Sequence, residues 1–169
     1  MKVYTKNGDL GTTKTANQIV SKSSCLIEAN GVIDELQSAM DKVIYGLDIL
    51  PDIESSQKRD FCMHIQSKLR QLGGEISGIK TDSPITIDDV EALEIQMDTL
   101  DEDVWEFVRF THPIAMDIDE ARVRTRKAER VLTAYLEQKT LSQVSYMFMN
   151  RLSDFFFVLS VHIDRIYGE

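Results

Sequence analysis

Beyond the first twenty-odd residues, apolar positions recur every three or four residues almost to the end of the chain, the period of helices laid against a common core. Ala29, Val32, Leu36, Met40, Val43 and Leu47 form one stripe, and Phe61, Ile65, Leu69, Leu72, Ile76 and Ile79 form a second. Val90, Leu93, Met97 and Leu100 mark a third helix, opened by the start signal "SPITIDD" with Pro84, Thr86 and early aspartates. A fourth runs through Ile118, Ala121, Thr125, Ala128, Leu132 and Tyr135, and a fifth through Leu141, Val144, Phe148, Leu152, Phe155, Leu159, His162 and Ile166. The junctions fall near 50–55, 80–86, 101–114 and 137–141, and "GGEISG" at 73–78 reads as helix interior, where small residues allow close packing. Two-residue alternation is nearly absent. The pattern predicts an all-α fold, a five-helix bundle with seams of coiled-coil type. Residues 1–22 are rich in Thr, Lys, Gly and Asn without a helical period, which predicts an extended N-terminal loop ahead of a bundle over 23–169, together one domain.

Composition narrows the partners. A chain of 169 residues is long enough to bury a core of its own. Its 28 acidic against 19 basic side chains give a formal charge of −9, which argues against nucleic acid, whose phosphates call for a net basic surface. No apolar run approaches the roughly 20 residues of a membrane span. The opening "MKVYTKNGDLG" lacks a secretory apolar core, so the expected location is the cytoplasm. Cys25 and Cys62 form no CxxC and are read as reduced thiols. His64, His112 and His162 lie far apart and none has a Glu three residues before it, so no protein-held metal centre is expected. No nucleophile motif accompanies them.

Against that acidic background, "DEARVRTRKAERVL" gathers Arg122, Arg124, Arg126, Lys127 and Arg130 with one carboxylate, Glu129, among them. Positions i, i+4 and i+8 drift only about 80° around a helix, so Arg122, Arg126 and Arg130 share a face. Such a strip is either a solvated face, with Arg122 and Arg126 pairing to Asp119 and Glu120, or a phosphate site, for which guanidinium forks are suited. A small, local phosphate target is the one an acidic protein can hold.

The segment "YTKNGDLGTTKT" offers two glycines, four threonines and two lysines. Asn7-Gly8 is a common hairpin turn; equally, glycines let backbone N–H groups approach an anion while hydroxyls and ammonium groups add donors. Asp9 could hold a divalent cation. The segment is not a GxxxxGK[ST] loop, and no strand precedes it. Near the other end, "NRLSDFFFVLS" places Asn150 and Asp154 one turn apart beside three phenylalanines. Asn150 either hydrogen-bonds a ligand or orients Arg151.

Taken together, these stretches resemble the PduO-type ATP:cob(I)alamin adenosyltransferases, a family of trimeric five-helix bundles. The family's nucleotide loop reads Y-T-K-T-G-D-x-G-x-T, and this chain has "YTKNGDLGTT"; its V-D-E-L-x-S is matched by "VIDELQS" through Asp34. Its basic helix A-R-x-x-x-R-R-A-E-R is matched by "ARVRTRKAER", and its N-R-L-S-D by "NRLSD" at 150–154. The resemblance implies transfer of the 5′-deoxyadenosyl group of ATP to reduced cobalamin, with Mg²⁺ on the phosphates. Carried over by motif, Arg126, Arg130 and Lys127 would bind the triphosphate, beside Glu129. Thr5, Lys6, Asn7, Gly8, Asp9, Thr12 and Thr13 would wrap the nucleotide, Lys22 would reach the phosphates and Asn150 would touch the nucleotide. Arg122 would pair with Asp34 across a subunit boundary of a homotrimer, and Phe107 would help keep the lower axial position of cobalt empty. Departures lie in the loops: the family's L-P-G-G is Arg109-Phe110-Thr111-His112 here, Asn7 replaces a Thr, and Lys127 replaces an Arg. A relative that binds ATP or adenosylcobalamin as a sensor or carrier is the alternative the resemblance leaves, and a helical assembly protein with purely structural arginines is the other.

Overall fold

The computed structural model describes residue 6, residues 8–100 and residues 108–169. Thr5, Asn7 and Phe107 lie outside the described residues. Among the described residues five helices follow one another: α1 (Cys25–Asp48), α2 (Ile53–Ile76), α3 (Ile87–Leu100), α4 (Pro113–Leu136) and α5 (Gln143–Tyr167). Among the described residues no helix is long and apolar enough to cross a membrane.

Cross-helix contacts give the packing. Lys42 meets Glu120 and Gly46 meets Ile114, so α1 and α4 run antiparallel in a fixed register. Asn30 with Ser77 and Asp41 with Gln66 set α2 antiparallel to α1. Glu129 with Asn150 and Thr133 with Tyr146 set α5 antiparallel to α4. Arg151 of α5 reaches Glu94, which docks α3 on the outer side of α5. The interior is one cluster built from the predicted stripes, with Leu36, Met40, Ile65, Leu69, Leu93, Ile118, Phe148 and Phe155 among its buried members. Each such side chain contributes about 1.5–3 kcal/mol relative to exposure.

The helix ends are fixed by identifiable groups. Asp52 caps α2 by accepting from the backbone N–H of Ser55 at 2.7 Å. The buried Asp89 accepts from the backbone N–H of Thr86 at 2.8 Å, which closes the start of α3 where "SPITIDD" predicts it. It also holds Lys68 of α2 at 3.0 Å and His64 at 2.9 Å, tying α2 to α3. Glu75 of α2 accepts from the N–H of Ser142 at 2.6 Å, at the head of α5. Tyr135 is buried with its hydroxyl donating to the Ile76 carbonyl at 3.1 Å.

Two expectations change. The helix predicted through "GGEISG" and on to Ile79 stops at Ile76, because Gly78 turns to φ +70°. The Ile79 N–H then bonds the Gly74 carbonyl at 2.9 Å and the Gly78 N–H bonds Glu75 at 2.9 Å, a glycine-terminated helix end that leaves Ile79 half exposed. The polar leader is not extended throughout either. Thr12–Lys14 (β1) and Ile19–Ser21 (β2) pair antiparallel, Thr13 opposite Val20. The turn of this hairpin lies at 15–18, where Thr15 Oγ1 donates to the Gln18 carbonyl.

Candidate functional site

The basic strip lies on α4, and its five cations divide into two groups. Arg122 Nε donates to Asp119 at 2.6 Å, and its guanidinium sits 5.9 Å from the centre of the Phe157 ring. Arg124 holds Glu120 at 2.7 Å and Glu35 at 3.1 Å. Lys127 donates to both oxygens of Glu35, at 2.8 and 2.9 Å. The hydrogen bond from Lys127, with the nearby charges of Lys127 and Arg124, holds the Glu35 carboxyl below its usual range. Glu120 is likewise lowered, first by its hydrogen bond from Lys42 and then by that from Arg124. Arg126 and Arg130 differ: both are exposed, and neither pairs with a carboxylate among the described residues. Arg130 Nη1 donates to the Arg126 carbonyl at 3.1 Å, which draws its guanidinium back along the helix to the Arg126 turn.

This division follows from the packing. The α1–α4 register puts Glu35 opposite Arg124 and Lys127, so those two charges are neutralised on the α1 side. The edge facing α5 carries the rest of the site. Glu129 accepts from Asn150 Nδ2 at 2.9 Å, and Thr133 meets the Tyr146 hydroxyl at 2.8 Å one turn on. Asn150 therefore orients Glu129, while Arg151 points away to Glu94 and Asp154. Of the two pairings weighed for the strip, Arg122–Asp119 forms, but Glu120 goes to Arg124 and Lys42 instead of Arg126. What remains on this helix, among the described residues, is a pair of guanidinium groups without carboxylates that can donate to anionic oxygens, on the same helix as Glu129 and Thr133 with their α5 partners.

The leader folds on itself ahead of α1. A Cβ on Gly8 would meet Lys22 Nζ at 3.0 Å and the Thr12 carbonyl at 3.4 Å, so glycine is what lets the ammonium lie on this backbone. Gly11, at φ +78°, turns the chain so that its carbonyl accepts from the Lys22 N–H at 2.9 Å. Lys6 also takes a left-handed φ of 60°. The side chains of Lys6, Asp9, Thr12, Thr13 and Lys22 make no hydrogen bond or ion pair with another described residue. Asn17 anchors the hairpin to the end of α2 through the Ser77 carbonyl at 3.4 Å.

Asp34 stands apart from Arg122. It is exposed on α1, lining a shallow groove of about 360 Å³ with Ile27, Asn30, Gln37 and Gly73, on the α2 side of the bundle. Within one chain, then, Gly8 and Lys22 come together and Glu129 and Asn150 come together. The loop and the arginines do not touch among the described residues, nor do Asp34 and Arg122. Glu35, which commits Lys127 and Arg124, escapes a reading of spacing, although it directly follows Asp34 in "VIDEL". Among the described residues no three His, Cys, Asp or Glu side chains gather to hold a metal.

The sequence profile of the family described as cobalamin adenosyltransferase matches residues 3–163. Over 163 residues the chain is 31% identical to the corrinoid adenosyltransferase of Bacillus subtilis, covering 93% of this chain and 83% of that one. Over 172 residues it is 30% identical to the cobalamin adenosyltransferase of Cupriavidus metallidurans, covering 99% and 90%. A variant PduO-type ATP:corrinoid adenosyltransferase from Lactobacillus reuteri, solved with cobalamin and ATP, aligns with a TM-score of 0.84 at 26% identity, over 98% of this chain and 92% of that one.

Proposed function

Since this chain belongs to the cobalamin adenosyltransferase family, we infer that it transfers the 5′-deoxyadenosyl group of ATP to the cobalt of a reduced corrinoid and releases triphosphate. The observation that carries the reading onto these residues is the pair of exposed guanidinium groups, Arg126 and Arg130, left without carboxylates beside three neighbours that have them.

The reaction asks little covalent chemistry of the protein. Reduced cobalt is the nucleophile; it attacks C5′ and expels a group carrying about four negative charges, which fixed cations stabilise without reorganising. Arg126 and Arg130 take that role, and the Glu129–Asn150 bridge sets the nucleotide side of the edge. Lys127, engaged by Glu35, ties α4 to α1 in this arrangement. The leader contributes Lys6, Gly8, Thr12, Thr13 and Lys22 to the phosphates, with Thr5 and Asn7 beside them. Asp9, exposed and without a described partner, is the carboxylate that suits a Mg²⁺ arriving with ATP. Phe107 would stand at the lower face of the corrin.

We extend the proposal to a cytoplasmic homotrimer whose sites form between subunits. Support comes from the separation of the leader from the arginines, and of Asp34 from Arg122, within one chain: among the described residues the leader makes no contact with the arginines, and Arg122 takes Asp119 in place of Asp34. An acidic chain with two free cysteines suits a reducing compartment. The departures at Arg109–His112 favour one rival, a sensor or carrier of the same ligands. Isothermal titration with MgATP tests the shared premise. Wild type should bind with Arg126→Ala weakened; no heat at millimolar nucleotide would leave only a structural helical bundle.

A further inference from the structure

The head of α4 is capped by a different helix. His112 stands at the N-cap position, yet its side chain bonds none of the first-turn amides. Instead Asp164 Oδ1 of α5 accepts from the backbone N–H of Thr111 at 2.7 Å and of His112 at 2.8 Å, and from Thr111 Oγ1 at 3.3 Å. A carboxylate there meets both orphan donors and the positive end of the helix. The chain then folds back to close the arrangement. The Glu169 N–H donates to Thr111 Oγ1 at 3.0 Å, and the Tyr167 hydroxyl donates to Asp52 at the head of α2. The rings of Tyr167 and His112 lie 5.7 Å apart. Only glycine fits at 168, because a Cβ would run into the Asp164 carbonyl oxygen and come within 2.7 Å of Thr111 Oγ1.

None of this is needed to hold α4 on α5. Those helices are joined along their length by buried Ile118, Ala121, Phe156 and Leu159 and by the bridges at Phe157, Asn150 and Tyr146. What the capping oxygen restrains is the segment 108–112, which follows directly on Phe107, the residue that the resemblance sets below the corrin, and leads into α4.

We propose that Asp164, by accepting the Thr111 and His112 amides, is a positioning residue that fixes segment 108–112 as the docking wall for the corrinoid. The proposal rests on the functional reading above. Steady-state kinetics with cob(I)alamin and MgATP varied separately tests it on the full chain. Asp164→Ala should raise KM for the corrinoid about tenfold while kcat and KM for ATP stay within about twofold. Asp164→Asn, which keeps an acceptor oxygen of the same reach, should recover most of that loss. Equal rises in both KM values would mark a merely structural cap and overturn the proposal, as would an unchanged corrinoid KM. A second measurement needs no turnover. Hydrogen exchange of the Thr111 and His112 amides, which donate to Asp164, should quicken about tenfold in Asp164→Ala with the heat of MgATP binding unchanged, and identical exchange would refute the restraint. A wild type that binds MgATP but converts no corrinoid would sink the functional reading and the docking role together, leaving the exchange result to decide the restraint alone.

Discussion

Lys127 of α4 donates to both carboxylate oxygens of Glu35 on α1, at 2.8 and 2.9 Å, with Arg124 on the same carboxylate at 3.1 Å. One acidic side chain thus removes two of the strip's cations from the α5 edge and leaves Arg126 and Arg130 as the charges available to a ligand. A strip that looks uniform along the sequence is divided by the neighbouring helix.

The division predicts unequal effects along one helix. Arg126→Ala and Arg130→Ala should each weaken MgATP by about 10- to 100-fold, the range for a charge-assisted contact to phosphate, without change in helix content. Lys127→Ala should cost markedly less nucleotide affinity than either. Titration calorimetry on the three variants checks the order, and a Lys127 loss equal to that of Arg126 would return the lysine to the phosphates.

Asp89 should matter to stability and not to nucleotide. It is 8% exposed, and it accepts from Lys68, whose side chain is 10% exposed. Asp89→Asn leaves that ammonium buried without its counter-charge, so unfolding in urea should lose about 3 kcal/mol. MgATP affinity of the folded variant should be unchanged.

The two cysteines should differ in reactivity. Burial pushes the Cys62 thiol up to about 12, whereas Cys25 is only half buried, with its sulfur 3.6 Å from Gln138 Oε1. Under native conditions an alkylating reagent at pH 8 should modify Cys25 alone, with Cys62 following only after unfolding. Peptide mass mapping reads the outcome.

Much of this fold was legible because helical period is a local property. The stripe from Ala29 to Leu47 and the one from Ile118 to Tyr135 are buried where the 3–4 alternation puts them. Period alone carried the second stripe too far, to Ile79, since an apolar residue past a terminating glycine keeps the spacing; Gly78 was the signal that the helix had ended. The hairpin at 12–21 escaped because its strands are three residues each and mostly exposed, so no buried alternation marks them. Register was the other gap. Glu35 meets Lys127, and Asp164 meets Thr111, across 92 and 53 residues, and no local pattern writes such pairings into the chain. The loop glycines and the guanidinium line were visible from residue type, while their lack of contact among the described residues required the packed bundle.

Acid should destabilise the protein in a defined window. Hydrogen bonds from Lys42 and Arg124 lower Glu120, and that from Lys127 lowers Glu35. Burial raises Asp89, but hydrogen bonds from Thr86, Lys68 and His64 outweigh it and leave it lowered. Each group binds its proton more weakly folded than unfolded. Their contribution is therefore complete above the ordinary carboxylate range, and it fades as pH falls from about 4 through the lower folded values. Urea midpoints should agree at pH 6 and 7 and drop below about pH 4; a midpoint that climbs on acidification through that range would contradict these pairings.

The most direct measurement follows the absorbance of chemically reduced cobalamin mixed with MgATP and this protein under anaerobic conditions. Wild type should remove the Co(I) band and produce the adenosylcobalamin spectrum with triphosphate in equal amount, and Arg126→Ala should do so far more slowly. A Co(I) band that persists with wild type while nucleotide is bound would contradict adenosyl transfer, whatever the fold.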